Sequence, residues 1–383
     1  MKKSKILTEK INQIIEGVTF DDVLLLPNYS DFKRNEVDLS IELHPKIRLK
    51  IPIISSPMDT VTEEKMAIAM AESGGLGIIH RNLSIEKQIL IIKKVKKIFI
   101  KNKNQAAVDE KNKLLVGAAV GIGEDFYQRV KALVENGADL LVVDSGHGYS
   151  KFIIDCCLYI KKNYPKIPLM AGNIATKEAA KSLIKVGVDI LRVGMGPGSI
   201  CTTRIVTGMG VPQLTAIVQS ILGIDEKTKI IADGGIKQPG DIAKALAFGA
   251  DAVMLGSLLA GSDESPGKLI TINGKKYKQY RGMGSISAMK KGGAERYGQK
   301  KNTQKKRLIA EGVEGLVEYK GKVSDYLYQL TGSLKSSFYY IGAKNIKDFF
   351  QKAKFIKISR AGIIESHPHS IVITNPGKNY HIK

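Results

Sequence analysis

Eight short apolar runs, amphipathic segments between them, and glycines closing several of those segments predict a (β/α)8 barrel for this 383-residue chain. The runs are IPIISS at 51–56, LGIIH at 76–80, LLVGAAV at 114–120, LLVVDS at 140–145, PLMAGN at 168–173, ILRVG at 190–194, KIIADGG at 229–235 and AVMLGS at 252–257. Each is nearly continuous in its apolar character, as in strands covered on both faces of a parallel sheet, and all but LLVGAAV end on a small or polar residue. Between them EKMAIAMAES, FYQRVKALVENG, KEAAKSLIKVG and DIAKALAFG carry apolar residues at helical spacing. Three of these four end on glycine, the residue that most readily takes a left-handed helix cap. Most runs start about 22 to 39 residues apart, room for one helix each. An open doubly wound sheet uses the same alternation, and a sequence does not display closure. Eight units suit the barrel better.

Composition narrows the class. Hydrophobic residues are 43% of the chain and charged residues 25%, as in ordinary globular proteins. No stretch approaches the roughly 18 consecutive apolar residues of a membrane span. The N-terminal MKKSKILTEKINQIIEGVTF begins with lysines, but Glu9, Lys10, Asn12 and Gln13 break its apolar run, so a signal peptide is not expected. Three cysteines, two of them adjacent, make no usual disulfide framework and fit a reducing cytoplasm. The net charge of +22 raises nucleic-acid binding as a reading. The lysines are spread along the chain, however, with only mild clusters at 93–103 and 300–307. No Trp and no aromatic–basic interleaving accompany them. A solvated basic surface that attracts anionic small molecules is the simpler expectation.

In a barrel the loops after the strands gather at one end, where chemistry sits. The first run delivers Ser55, Ser56 and Met58, the fourth Asp144 and His147, and the fifth Asn173. The sixth delivers GMGPGSICTTRIVTGMGVPQ, residues 194–213, in which Cys201 stands among glycines and hydroxyl residues. The seventh delivers Asp233-Gly234-Gly235 and the eighth Gly256-Ser257. Glycine turns after the last two strands match the usual barrel phosphate site, and Ser199 offers a further hydroxyl. The same glycines also serve as plain tight turns, Asp144 as a helix cap, and His147 as a polar loop residue. Cys156 and Cys157 lie in the amphipathic SKFIIDCCLYIKK and read as helix residues. Cys201 is off the periodic pattern, on a loop that lets a ligand approach the main chain, and reads as a nucleophile. The G-x-G-x-G spacing before it lacks the following helix and the acidic residue about 20 positions on that a dinucleotide fingerprint needs.

GSICTTR, flanked by VGMGPG and GVPQ, resembles the catalytic loop of the inosine-5'-monophosphate (IMP) dehydrogenase family. The resemblance continues through GVTFDDVLLLPNYS, ISSPMDTVTE, GIIHRN, VDSGHG, AGNIAT, IADGGI, MLGSLLAG, YRGMGS, GGAERYGQ and EGVEG, nearly the whole chain. Guanosine monophosphate reductase, which uses NADPH, is the nearest alternative, with the same barrel and loop. It lacks the Arg-Tyr pair present here as Arg296-Tyr297. A third reading, a basic nucleic-acid-binding protein on an inactive barrel, sits poorly with the retained Cys201, Thr203 and Glu311. Members of the family usually carry a pair of cystathionine-β-synthase-type regulatory domains between the second and third strands. That interval here holds only a helix and a polar stretch. The resemblance therefore implies one catalytic domain over 1–383, with the insert missing near 98–113, a mobile flap over about 274–312 and a C-terminal segment over about 313–383.

What the resemblance implies for chemistry is specific. Cys201 would add to C2 of IMP, hydride would pass to NAD, and water would release xanthosine monophosphate (XMP), the committed step of guanine nucleotide synthesis. Arg296-Tyr297 would activate that water, with a second relay through Thr203 and Glu311. Asp233 would hold the ribose. Ser199, Gly235, Gly256, Ser257 and Tyr280 would hold the phosphate, and Met283, Gly284 and Glu311 the base, with Ser56, Met58 and Arg192 completing the pocket. Asp144, Ser145, Asn173 and Gly194 would face NAD. Potassium would bind carbonyls of Gly196, Gly198 and Cys201, together with Glu365, Ser366 and His367 of a neighbouring subunit in a homotetramer.

Overall fold

The computed structural model describes residues 3–299, 307–377 and 379–380. The basic segment at 300–306, inside the expected flap, lies outside the described residues. Strands β1 (Ile53–Ser55), β2 (Leu76–Ile79), β3 (Val116–Val120), β4 (Leu140–Asp144), β5 (Leu169–Ile174), β6 (Ile190–Val193), β7 (Lys229–Asp233) and β8 (Ala252–Leu255) form a closed parallel barrel. Each expected run coincides with one strand to within a residue or two. Closure, which the sequence left open, is made by Val253, Met254 and Leu255 of β8 against Ile53, Ile54 and Ser55 of β1.

The continuous apolar character of the runs follows from their two buried faces. Ile54, Leu140, Val142, Ile190, Ile231 and Met254 point into the barrel, while their neighbours Ile53, Leu141, Val143, Leu191, Ile230 and Val253 point outward under the helices. The N-terminal end of the interior is plugged by Leu43, Ile47 and Leu49 from a hairpin of Ile41–His44 and Ile47–Leu49. Helices α1 (Glu64–Glu72), α2 (Ile85–Lys97), α3 (Phe126–Glu135), α4 (Lys151–Asn163), α5 (Lys177–Lys185), α6 (Gln213–Ile221) and α7 (Pro239–Ala247) follow β1 to β7 in turn. The eighth, α8 (Val323–Ile341), completes the ring by packing on α7 and α1. No helix among the described residues is long and apolar enough to cross a membrane.

Between β8 and α8 the chain leaves the barrel. Strands β9 (Leu269–Ile272), β10 (Lys275–Arg281) and β11 (Glu314–Glu318) form an antiparallel sheet there. Part of the expected flap over about 274–312 is regular and packed. Lys275–Arg281 is a strand, and Met289, Ala294 and Leu308 form a small buried cluster with Ile286 and Tyr297 against it. Where the regulatory insert would enter, the chain makes a tied-down turn. Val108 bridges Leu114, Ala107 N–H donates to Ala71 O at 2.8 Å, and Lys96 Nζ holds Asp109 at 2.9 Å. At the far end of the chain, Val23–Leu25 pairs antiparallel with Phe355–Lys357, a strand pair without a clear periodic signal.

The N-terminal end of the barrel repeats one device three times. Gly137, Gly187 and Gly249, with φ of +90°, +87° and +99°, end the preceding helix turn. Two residues later an aspartate accepts the first free N–H of the strand before its own. Asp139 takes Val116 N–H at 2.7 Å, Asp189 takes Leu169 N–H at 2.8 Å, and Asp251 takes Ile230 N–H at 2.8 Å. A lysine pairs with each: Lys96, Lys161 and Lys229. Truncating such an acceptor leaves a strand N–H unpaired and takes a carboxylate from the lysine, a loss of about 2 kcal/mol. Asp189→Ala should therefore lower the unfolding free energy measured in urea by that amount while leaving catalysis intact, because this end is remote from the loops after the strands. A variant as stable as the parent would remove the device from the account.

Candidate active site

The cysteine loop leaves β6 at Val193 and is held by main-chain contacts. Gly194 has φ +148°, and a Cβ there would lie 2.0 Å from Asp233 O, so only glycine lets β6 and β7 end this close together. Cys201 N–H donates to Gly198 O at 3.0 Å. Cys201 then bridges Gly312 in antiparallel register, with Thr202 N–H to Glu311 O and Val313 N–H to Ile200 O both at 3.0 Å. That pairing brings a side chain more than a hundred positions away to the thiol. Thr203 Oγ1 is 3.2 Å from Cys201 Sγ and donates to Glu311 Oε2 at 2.9 Å. The half-buried thiol is thus the first member of a three-group chain.

Behind it lies a buried ionic floor. Arg192, on β6, bridges Asp144 Oδ1 at 2.5 Å and Asp233 Oδ2 at 2.8 Å. Asn173 Nδ2 donates to the same Asp233 oxygen at 2.7 Å and to Gly194 O at 2.9 Å. Two donors therefore fix Asp233 Oδ2, and Oδ1 makes no hydrogen bond among the described residues. Gln213, fully buried at the start of α6, donates to Val193 O at 2.9 Å and Asp233 O at 3.2 Å. Two donors thus hold the carboxylate that faces the cleft, and a third holds the main chain that carries it.

The 274–312 segment covers this mouth. Arg296 makes a close ion pair with Asp144 and lies 3.5 Å from Asn173 Oδ1, while Gly146 N–H donates to Arg296 O at 3.0 Å. Tyr297 packs over Gly284, where a Cβ would come within 2.7 Å of the ring. Burial, partly offset by Arg296, raises the Tyr297 phenol above its ordinary value, and Cys201 and Glu311 push the same way. Burial likewise pushes the Tyr280 phenol far up against a hydrogen bond with Ser199. Gly256 leaves the space this hydroxyl occupies, since a Cβ there would stand 2.7 Å from it.

Together these groups enclose a cleft of about 240 Å3. Cys201, Thr203, Arg296, Tyr297 and Glu311 all line it. So do Ser56, Met58, Arg192, Ser199, Asp233, Gly235, Gly256, Ser257, Tyr280, Met283 and Gly284. Of the residues expected on the dinucleotide side, Asn173 and Gly194 line the cleft, whereas Asp144 and Ser145 are buried behind its wall and Gly146 takes their place at the surface. Gly196 and Gly198 line it as well. Glu365, Ser366 and His367 do not. Glu365 borders a separate surface hollow with Ile358 and His369, and His367 Nδ1 is 3.0 Å from the Tyr380 hydroxyl. Among the described residues no group of three or more His, Cys, Asp or Glu side chains gathers as a metal site. Cys157 is buried and Cys156 half-buried in α4, and burial raises both thiols. Sequence reasoning missed Gln213 and Arg81. Gln213 ends GVPQ and Arg81 lies in GIIHRN, so both stood inside quoted motifs without a chemical signal of their own.

The sequence profile of the IMP dehydrogenase / GMP reductase domain matches residues 17–369. An inosine-5'-monophosphate dehydrogenase of Borreliella burgdorferi is 49% identical, over 93% of this chain and 97% of that protein. Enzymes of the same name from Aquifex aeolicus and Staphylococcus aureus are 41% and 40% identical, covering 98% and 95% of this chain and 99% and 98% of their own lengths. The Aquifex alignment runs over 490 positions and the Borreliella one over 393, and the length of this 383-residue chain is that of a form without the regulatory domains. By the reach of that profile and the closeness of those relatives, the chain belongs to the IMP dehydrogenase / GMP reductase family.

Proposed function

We propose that this chain oxidises IMP to XMP with NAD and water, through a covalent bond between Cys201 Sγ and purine C2. The observation that carries the reading is the contact chain Cys201–Thr203–Glu311 at the mouth of a glycine-lined cleft. The relatives' names favour the dehydrogenase over the NADPH-dependent GMP reductase, and Arg296-Tyr297 favours it too.

The nucleotide lies along the loop backbone, with Asp233 on the ribose. Ser199, Gly235, Gly256, Ser257 and Tyr280 hold the phosphate, and Met283, Gly284 and Glu311 the base. Bare backbone at Gly194, Gly196 and Gly198 lets the ring approach the sulfur. Thiolate addition at C2 makes a tetrahedral centre, and the C2 hydrogen leaves with its electron pair, giving a thioimidate on Cys201. NAD supplies the acceptor for that hydride. The residues on its side fit a flat ligand: Gly146 and Gly194 present main chain at the cleft, and Asn173 and the carboxylate of Asp144 stand behind them.

The same side of the cleft carries Arg296 in this conformation, so the flap and the dinucleotide would use it in turn. Hydrolysis then needs water at C2 and an acceptor for its proton. Arg296 stands on the acidic Asp144 with the Tyr297 phenol beside it, and Thr203 passes a proton toward Glu311 as a second route. Water adds, the C–S bond breaks, the thiol returns and XMP leaves. Main-chain carbonyls of Gly196, Gly198 and Cys201 have the uncharged oxygen chemistry that suits potassium. Glu365, Ser366 and His367 would complete that site from the next subunit of a homotetramer.

With IMP, NAD and potassium the protein should produce NADH absorbance, and Cys201→Ser should be silent. Consumption of NADPH with GMP instead would assign the reductase. In stopped-flow absorbance, Arg296→Ala should keep the hydride burst and slow the following hydrolysis roughly a hundredfold. An equal loss in both phases would refute that division of labour.

A further inference from the structure

Arg81 follows β2 in GIIHRN, and the chemistry above gives it no part. It is 8% exposed, and its Nε and Nη2 have no hydrogen-bond partner among the described residues. Burial, and then the facing Arg296, pulls its guanidinium down to about 10, so it remains charged at neutral pH. A buried cation is costly unless something compensates it. Two carboxylates do, one on each side of the flap contact. Arg81 Nε is 3.8 Å from Asp144 Oδ2 on the barrel, and Nη1 is 3.8 Å from Glu295 Oε2 on the flap. Nη1 also donates to Gly292 O at 3.4 Å, and the next residue, Asn82, donates to Ala288 O at 3.5 Å.

The dipeptide Glu295-Arg296 therefore meets the barrel as opposite charges on opposite partners. Arg296 sits on Asp144 and Glu295 on Arg81. The loop after β3 makes room for the second contact: at Gly123 a Cβ would lie 2.2 Å from Glu295 Oε2. Two contacts of opposite sign fix the direction of the segment as well as its position. A flap rotated by one residue would face like charge with like.

We propose that Arg81 is a positioning residue that seats the flap through Glu295, so that Arg296 rests on Asp144 beside Cys201. The proposal rests on the covalent reading for its kinetic consequence, but seating itself is independent of catalysis. The test uses both. Without ligands, Arg81→Met should speed tryptic cleavage at the exposed Lys290 and Lys291 roughly tenfold, the scale of one charge-assisted contact. In stopped flow the same variant should slow hydrolysis by a similar factor with the hydride burst unchanged, and Arg81→Lys should restore most of it. Glu295→Gln, altered on the flap side, should reproduce both effects even where Arg81→Met folds poorly. The double variant should be no worse than either single one. Unchanged cleavage and hydrolysis, a loss confined to the hydride step, or additive losses would overturn the proposal. If the parent enzyme makes no NADH, the functional reading fails, while the cleavage comparison still decides the seating.

Discussion

Three residues of main chain, 200–202, paired with 311–313, hold the two halves of this site together. One half is a loop of the barrel itself, after β6. The other belongs to the excursion between β8 and α8. The pairing uses backbone hydrogen bonds, so it is indifferent to the many glycines around it and leaves them free to admit a flat ligand. It also sets a register. Shifting it by one residue would turn Glu311 away from Thr203, because neighbouring side chains on a strand point to opposite faces.

The second constraint is electrostatic. Asp144 and Arg192 are buried side by side with the half-buried Asp233 next to them, and the desolvation of each is offset by its neighbour. Such a row gains little stability, but it fixes the angle of every member, and Asp233 and Asn173 meet the cleft as a result. Flap residues join the row from above rather than forming a separate site. The net charge of +22 plays no visible part here, since the arginines at the mouth are matched by Asp144, Asp233 and Glu295.

Much of this was legible in the sequence. The eight strands were visible because burial on both faces makes a run apolar without alternation. The loop around Cys201 stood out because its glycines break every periodic pattern. Closure was not legible, since β8 on β1 is a contact between the ends of a long segment. Nor was the hairpin of Leu43, Ile47 and Leu49 that plugs the interior, because three apolar residues in a polar stretch look like any loop. The packing within the flap was not legible for a similar reason: Met289, Ala294 and Leu308 are too far apart to form a pattern, yet they cluster with Tyr297. Asp144 read as a cofactor ligand at the surface, whereas three guanidinium groups bury it behind the wall. The expectation for Glu365, Ser366 and His367 came from the resemblance alone, and within one chain they stand outside the cleft.

The central claim is that the thiol so placed bonds to the purine ring. Rapid quenching of the protein during turnover with IMP and NAD, followed by peptide mass spectrometry, tests it directly. A nucleotide-mass adduct on the peptide containing Cys201, lost in Cys201→Ser, is the result expected. Turnover at full rate with that peptide always unmodified, or undiminished by the serine substitution, would contradict it.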